Sequence, residues 1–345
     1  MRICLLNPAN DKDPFFGRTA RFTAVAARSL QVDLEVIECG GAEQAAETEE
    51  MARVARELAR RPVRPHYAIV SNTRFTALAT IPILASAGIK TFLITEGLFF
   101  AERRELGDPG GKHPNWIGEL LPDDEAAGAR LGSIVIDAAR AQGKVAPDGK
   151  VHVVGLNGTQ TIASVMRYKG LKDLAAARDD VVLHDVLPAL WSRSEAQRIT
   201  RDLLQRFPET TAIWAANDTM ALGAAEVAAE LGRPPGKDVF VGGIDWAPFA
   251  FEKIEEGVFT ASLGGHFLDG AWALTMLHDH HQGQTLEQPR SRSTWAAATA
   301  ENLASYRKLY DETRWSKIDF TRFSRARNPE LKAYDFSVES ALSQI

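Results

Sequence analysis

The chain has 345 residues, 45% of them hydrophobic, enough for a buried core in each of about two domains of ordinary size. Its 40 Lys and Arg stand against 45 Asp and Glu for a formal charge of -5, so no bulk positive field exists to hold a nucleic-acid backbone. The longest apolar runs, such as Ile81 to Ala85 and Ile134 to Ile136, fall far short of the about 18 to 20 residues needed to cross a bilayer.

In chain order, Met1-Arg2 runs straight into Ile3-Cys4-Leu5-Leu6, which reads as a strand and not as an export leader. The sequence as written is therefore that of a cytoplasmic protein, or of an exported one whose leader was replaced by a start Met. Further short apolar runs follow at Leu34 to Ile37, Ala68 to Val70, Thr91 to Ile94, Val151 to Val154, Val181 to Leu183, Ala212 to Trp214 and Val239 to Val241. Between them lie helical faces: Met51, Val54, Ala55 and Leu58; Ala127, Leu131, Ile134 and Ala138; Met220, Ala224, Val227 and Leu231. Strands of continuous apolar character separated by single helices predict parallel sheets covered on both faces, and two such sheets are indicated. Between them, Gly97, Gly107, Pro109, Gly110, Gly111, Pro114 and Pro122 interrupt the pattern, and Ile117 to Leu121 is expected to cross between domains as an extended segment. After a strand at Thr260 to Leu263 the chain is expected to recross, into a helix with Phe267, Ala271, Leu274 and His278 on one face. Gln288 to Ser293 reads as extended, and a last helix is expected around Ala300 to Asp311, before a tail from Phe320 with no legible period.

In open α/β sheets ligands collect outside the carboxyl ends of the strands, so the residues there are the candidates. The first such loop, Asn7 to Phe16, sets Asp13 beside Phe15 and Phe16. Rings that pack on C–H faces and side chains that fork hydroxyls suit a polyhydroxyl ligand. Asp13 as a helix cap and the rings as a hydrophobic staple are the structural alternatives. Trp191 follows a strand at Leu187 to Leu190, where it is either a core residue or a platform. Asn217-Asp218 and Asp245-Trp246-Ala247-Pro248 each end a strand and open a helix, so N-caps are again the alternative.

The run Ile213-Trp214-Ala215-Ala216-Asn217-Asp218-Thr219-Met220-Ala221-Leu222-Gly223-Ala224, followed by Val239 to Asp245, resembles the type I periplasmic solute-binding proteins of the ribose-binding-like branch. The Asp-Pro-Phe-Phe loop, Arg167 three positions before Gly170, and Trp191 extend the likeness over most of the chain. The resemblance implies two doubly wound, Rossmann-like domains joined by a multi-crossing hinge, with a ligand cleft between lobes expected at 1–118 plus 265–290 and at 119–264 plus 291–345. It implies a non-enzymatic binder of a monosaccharide that works by hinge closure in the periplasm and presents its ligand to an ABC permease. Asp13 is then a hydroxyl acceptor, Phe15, Phe16 and Trp191 stacking faces, Arg167 a donor, and Asn217 and Asp245 forked partners. Two departures change the recognition. Glu96, in Thr95-Glu96-Gly97, replaces the Asp-Arg pair of the family, and His266, in Leu263-Gly264-Gly265-His266, replaces its Gln. The stretch from Leu98 to Asn115 is expected to reshape or cover the cleft, and Asn328 to Ile345 to wrap a domain or touch a partner.

The alternatives are a receptor for a furanose signal of the autoinducer-2 type coupled to a membrane histidine kinase, and a repressor-type effector half. The latter is disfavoured because the first strand begins at Arg2 with no helix-turn-helix before it. An α/β enzyme using Asp245 or Asp13 with His266 finds no motif to support it. Neither cofactor nor metal is expected: His278, His280 and His281 do not share one helix face, and Gly155-Leu156-Asn157-Gly158 lacks the rest of a dinucleotide fingerprint. Cys4 and Cys39 are offset too far for a disulfide, and a monomer is expected.

Overall fold

The computed structural model describes residues 1–40, 44–73, 75–286 and 288–345, which fall into two compact α/β units. The first comprises residues 1–122, 266–294 and 311–345, and the second 123–265 and 295–310, so the chain passes between them after residues 122, 265, 294 and 310.

The elements alternate. In the first unit they are β1 (Arg2–Asn7), α1 (Phe16–Ser29), β2 (Asp33–Glu38), α2 (Gln44–Arg60), β3 (Tyr67–Ser71), α3 (Thr76–Ser86), β4 (Lys90–Ile94), α4 (Phe100–Leu106) and β5 (Trp116–Pro122). The second unit continues with α5 (Asp124–Ala141), β6 (Val151–Asn157), α6 (Ile162–Ala176), β7 (Val181–Pro188), α7 (Arg193–Arg206), β8 (Thr210–Ala215), α8 (Asp218–Glu230), β9 (Phe240–Ile244), α9 (Pro248–Glu255) and β10 (Phe259–Gly264). Next come α10 (Asp269–His281) and β11 (Arg290–Ser293) in the first unit, β12 (Ala296–Ala298) and α11 (Leu303–Tyr310) in the second, and α12 (Val338–Leu342) in the first.

The sheet of the first unit runs β11-β5-β4-β3-β1-β2 and is parallel throughout; that of the second runs β12-β10-β9-β8-β6-β7 and is parallel except for β12. The order is the same in both, with the reversal of winding between β1 and β3 and between β6 and β8. Helices cover both faces, so inner strands such as β3 and β8 are buried at every position. The edge strands β2, β7 and β11 are more exposed.

Two expectations are corrected. Ile117 to Leu121 does not cross between domains; it is β5, paired in parallel with β4, and the crossing comes after Pro122. Gly118 lets this strand pack closely, since a Cβ there would lie 2.5 Å from the Phe92 ring. Residues 311–345, and β11 before them, belong to the first unit and not to the second. The reason is α10, whose residues from Asp269 to Asp279 are all buried, its outer side being covered by the tail. Trp272 meets Phe320, Phe323 and Phe336 at ring-centroid distances of 5.6, 4.9 and 5.0 Å. Trp315 packs edge-on to Phe22 at 4.9 Å.

The tail is also held by a buried carboxylate. Asp279, fully buried, accepts hydrogen bonds from the Ser324 hydroxyl, from the Arg325 backbone N–H at 2.6 Å and from the Tyr334 hydroxyl at 3.0 Å, with His278 Nδ1 at 3.0 Å. Burial alone would raise this carboxyl, but the bonds from His278, Ser324, Arg325 and Tyr334 together hold it below the usual range. The stretch from Leu98 to Asn115 is anchored to its own sheet: Leu98 and Leu106 enter the core, and Arg103 grips buried Glu119 of β5 at 2.9 and 3.0 Å.

A carboxyl with a depressed folded pKa contributes stability that is present above its unfolded value of about 3.9 and is lost as pH falls through the folded value. Asp279→Asn removes the charge-assisted bonds and is expected to cost about 1.5 to 3 kcal/mol in urea unfolding at pH 7. The deficit relative to the parent chain should shrink on acidification below about pH 4. Hydrogen exchange should rise first at residues 324–334.

Candidate functional site

The candidates all lie just beyond the carboxyl ends of strands or on the helices that follow, in two groups, one per unit. In the first unit, Asp13 turns the chain from β1 into α1. Its Oδ1 accepts the backbone N–H groups of Phe15 at 2.9 Å and Phe16 at 2.7 Å. The cap anticipated as the structural alternative is thus present. It fixes the two rings, which meet edge-to-face at 5.0 Å, and Phe15 stacks on His266 at 4.3 Å with an interplanar angle of 24°. His266 is 4% exposed, while Phe15 and Phe16 are half-buried. Glu96 follows β4, half-buried, next to Thr95, whose φ of 75° marks a tight reversal.

The second unit holds Arg167, Trp191, Asn217 and Asp245. Arg167 sits on α6 with 5% exposure. Its Nε donates to Asp124 Oδ1 at 2.8 Å, and its Nη1 donates to the Ala216 carbonyl at 2.7 Å and to Asp245 Oδ1 at 3.4 Å. The guanidinium also lies 5.2 Å from the Trp295 ring and 5.9 Å from that of Trp191. Such reach depends on α6 lying against α5. A Cβ on Gly170 would come within 1.9 Å of the Glu125 carbonyl oxygen, and one on Gly128 within 1.8 Å of that of Arg167. The two glycines let the backbones touch, which brings Asp124, at the start of α5, to Arg167.

Asp245 is held in a backbone conformation that L-residues rarely adopt, with φ of 112° followed by 54° at Trp246. The turn is fixed from several sides. Asp245 N–H donates to the Leu263 carbonyl at 2.7 Å, and the buried Trp246 indole N–H donates to the Ser262 carbonyl at 2.9 Å. The ring also fills the space above Gly264, where a Cβ would lie 2.2 Å away. Beneath, Asp218 accepts from Ala247 N–H and from the Ser262 hydroxyl, each at 2.8 Å. Burial, reinforced by the charge of Asp245, pushes the Asp218 carboxyl well above the usual carboxylate range.

Trp191 follows Leu190 in a reversal with φ of 56° and 61°. Its indole N–H donates to Thr159 Oγ1 at 2.9 Å, and its ring lies over Gly158, where a Cβ would be 2.0 Å from it. The indole is therefore clamped but half-exposed, and not a residue of the core. Asn217 caps α8 through Oδ1, which accepts Met220 N–H at 2.9 Å. The structure thus brings Arg167, Asp245 and Trp191 together in one unit and Phe15, Phe16 and His266 in the other. The sequence reading missed Asp124 and Trp295 as partners of Arg167, and for Asp218 it weighed an N-cap but not the place it holds beneath the Asp245 turn. Among the described residues no group of three His, Cys, Asp or Glu is placed to hold a metal ion.

A profile of the periplasmic binding protein domain matches residues 3–285. The D-allose-binding periplasmic protein of Escherichia coli (strain K12) is 34% identical over 162 residues, 46% of this chain and 49% of that protein. The ribose import binding protein of Salmonella typhimurium (strain LT2) is 27% identical over 147 residues, 43% of this chain and 46% of that one. The chain thus spans about half the length of these curated relatives. A crystal structure of a periplasmic sugar-binding protein from Pseudomonas fluorescens is 29% identical with a TM-score of 0.86, covering 99% of both chains. A solute-binding protein of Actinobacillus succinogenes 130z, solved with bound D-allose, shares the fold at 20% identity, with a TM-score of 0.74 over 88% of this chain and 99% of that one.

Glycine to alanine inside a helix ordinarily stabilises by about 0.5 to 1 kcal/mol. At Gly170 the sign should reverse. With the Glu125 carbonyl in the way, Gly170→Ala is expected to cost about 1 to 3 kcal/mol in chemical denaturation, and a gain would show that the contact with α5 is not what this glycine serves.

Proposed function

The chain belongs to the periplasmic binding protein family, and on that premise we propose that it is an extracytoplasmic, non-enzymatic binder of a small sugar, which it supplies to an ABC importer. The observation that carries this reading is the fixed constellation in the second unit: a guanidinium held by Asp124, a carboxylate held by a strained turn, and a clamped, half-exposed indole. A sugar presents C–H faces to rings and adjacent hydroxyls that both donate and accept. Trp191 offers the first contact, and Arg167 with Asp245 offers a donor and an acceptor side by side. Asn217 Nδ2 adds a donor, since the α8 cap uses only the carbonyl oxygen of that side chain.

In the first unit Phe15 and Phe16 present further ring surface and His266 a polar edge, with Glu96 as an added acceptor in place of a cationic donor. Asp13 serves through its cap, which sets the rings. The names of the relatives, a D-allose binder and a ribose import protein, favour an aldose as cargo.

Isothermal titration with D-allose, D-ribose and a wider panel of aldoses and polyols should give saturable binding for at least one. Trp191→Ala and Asp245→Asn, the latter chosen because Asn tolerates positive φ, should each weaken it by about tenfold or more. Their unfolding midpoints should stay close to that of the parent chain. If both variants bind the same sugar as tightly as the parent, the assignment of this constellation fails.

A further inference from the structure

The first unit contains a cavity of about 370 Å³ that none of the residues assigned to sugar binding lines. Its lining includes Leu120 of β5, Met276 of α10, Arg292 of β11, and Arg325, Tyr334 and Phe336 of the tail. The volume lies in the range of about 300 to 1,000 Å³ typical of small-molecule sites. The aromatic wall is set firmly. Tyr334 stacks on Phe336 at 4.7 Å, Phe336 stacks on Trp272 at 5.0 Å, and the Tyr334 hydroxyl is tied to Asp279 at 3.0 Å.

Charge distinguishes this cavity from a packing defect. Arg290, two residues before Arg292, pairs with Glu119 at 3.1 Å and Asp108 at 3.4 Å. Arg292 has no carboxylate within salt-bridge distance among the described residues; its Nη1 donates to the Pro122 carbonyl at 3.3 Å. Asp335, the acidic residue of the lining, accepts the Ser337 N–H at 3.3 Å, and Arg325 lies 5.7 Å from the Tyr334 ring. Among the described residues the lining joins an apolar floor of Leu120 and Met276 to the guanidiniums of Arg292 and Arg325 and the carboxylate of Asp335. A planar guanidinium matches a carboxylate in a two-point fork, and the floor of Leu120 and Met276 packs best against a hydrocarbon body.

We propose that this cavity is a second ligand site, which takes a small monocarboxylate with an apolar body, its carboxylate on Arg292 and its body against Leu120, Met276 and Phe336. A ligand there rests on β5 and β11, the strands that end at two of the crossings out of the unit. It therefore braces the tail against the sheet at that point. The site stands apart from the sugar reading and does not depend on it.

The test uses the full chain and phenylacetate as probe, with phenethyl alcohol, benzylamine and inorganic phosphate for comparison, followed by ligand-observed NMR and calorimetry. Phenylacetate is expected to bind saturably and at least about tenfold more tightly than the alcohol, as a charge-assisted fork requires. Arg292→Gln should weaken it by about the same factor, and Ala333→Trp, which fills the cavity from the tail, should abolish it. Both positions are exposed, and both variants should melt where the parent does. Phenylacetate that does not bind, or binds Arg292→Gln and Ala333→Trp as it binds the parent, overturns the proposal. Equal binding of the alcohol overturns the role of Arg292, and tighter binding of phosphate overturns the apolar body.

Discussion

A guanidinium taken out of water persists only where fixed acceptors replace those the solvent gave, and Arg167, at 5% exposure, meets that constraint with Asp124, the Ala216 carbonyl and Asp245. Much of the second unit is arranged around it. Gly128 and Gly170 draw α5 and α6 together so that Asp124 arrives from one side. Asp245 arrives from the other on a strained turn that Trp246, Ser262 and Gly264 hold in place. Asp218 lies beneath, where burial and the charge of Asp245 push its carboxyl well above the usual carboxylate range. The cluster is pre-organised: side chains that a ligand would otherwise have to order are already fixed by one another.

The first unit solves a different problem, that of covering a buried helix. Nearly every face of α10 is apolar or carries a polar group that needs a partner, and the tail supplies both, with aromatic rings on Trp272 and three hydrogen bonds to Asp279, which His278 of α10 itself also contacts. The same contacts hold Tyr334 and Phe336 away from the sheet at one place, so a cavity survives between well-packed walls.

The alternation of strands and helices, and hence the two doubly wound sheets, was legible in the sequence, because parallel strands buried on both faces leave unbroken apolar runs such as Ala212 to Trp214. The loops that carry Asp13, Trp191, Asn217 and Asp245 were legible too, as polar or aromatic residues just past those runs. What separated cap from ligand contact was not. Asp13 and Asn217 both use one oxygen to cap a helix, a role that any Asp or Asn at such a boundary announces equally. The pairing of Arg167 with Asp124 escaped because 43 positions separate them and only the helix contact joins them. The tail escaped because its anchors, Trp315, Phe320, Phe323 and Phe336, sit on short 3₁₀ turns and loops with no fixed period to read. Strand β5 was legible as an extended segment, but the glycines and prolines from Gly97 to Pro114 that precede it made it read as a linker and not as a strand of the sheet.

The two outermost strands have a consequence for the protein at high concentration. A free strand edge offers unpaired backbone groups to any other chain that approaches, and natural sheets discourage this with charge, proline or irregular edges. Here β2 points Asp33 and Glu38 into solvent along its length, while β7 carries Asp185 in an ion pair with Arg206 and stops at Pro188, which has no N–H to offer. A second copy sliding in beside β2 would bring its own carboxylates against these. Intermolecular sheet extension, the first step of fibrous self-association, is thereby opposed at one edge of each sheet, at β2 and at β7.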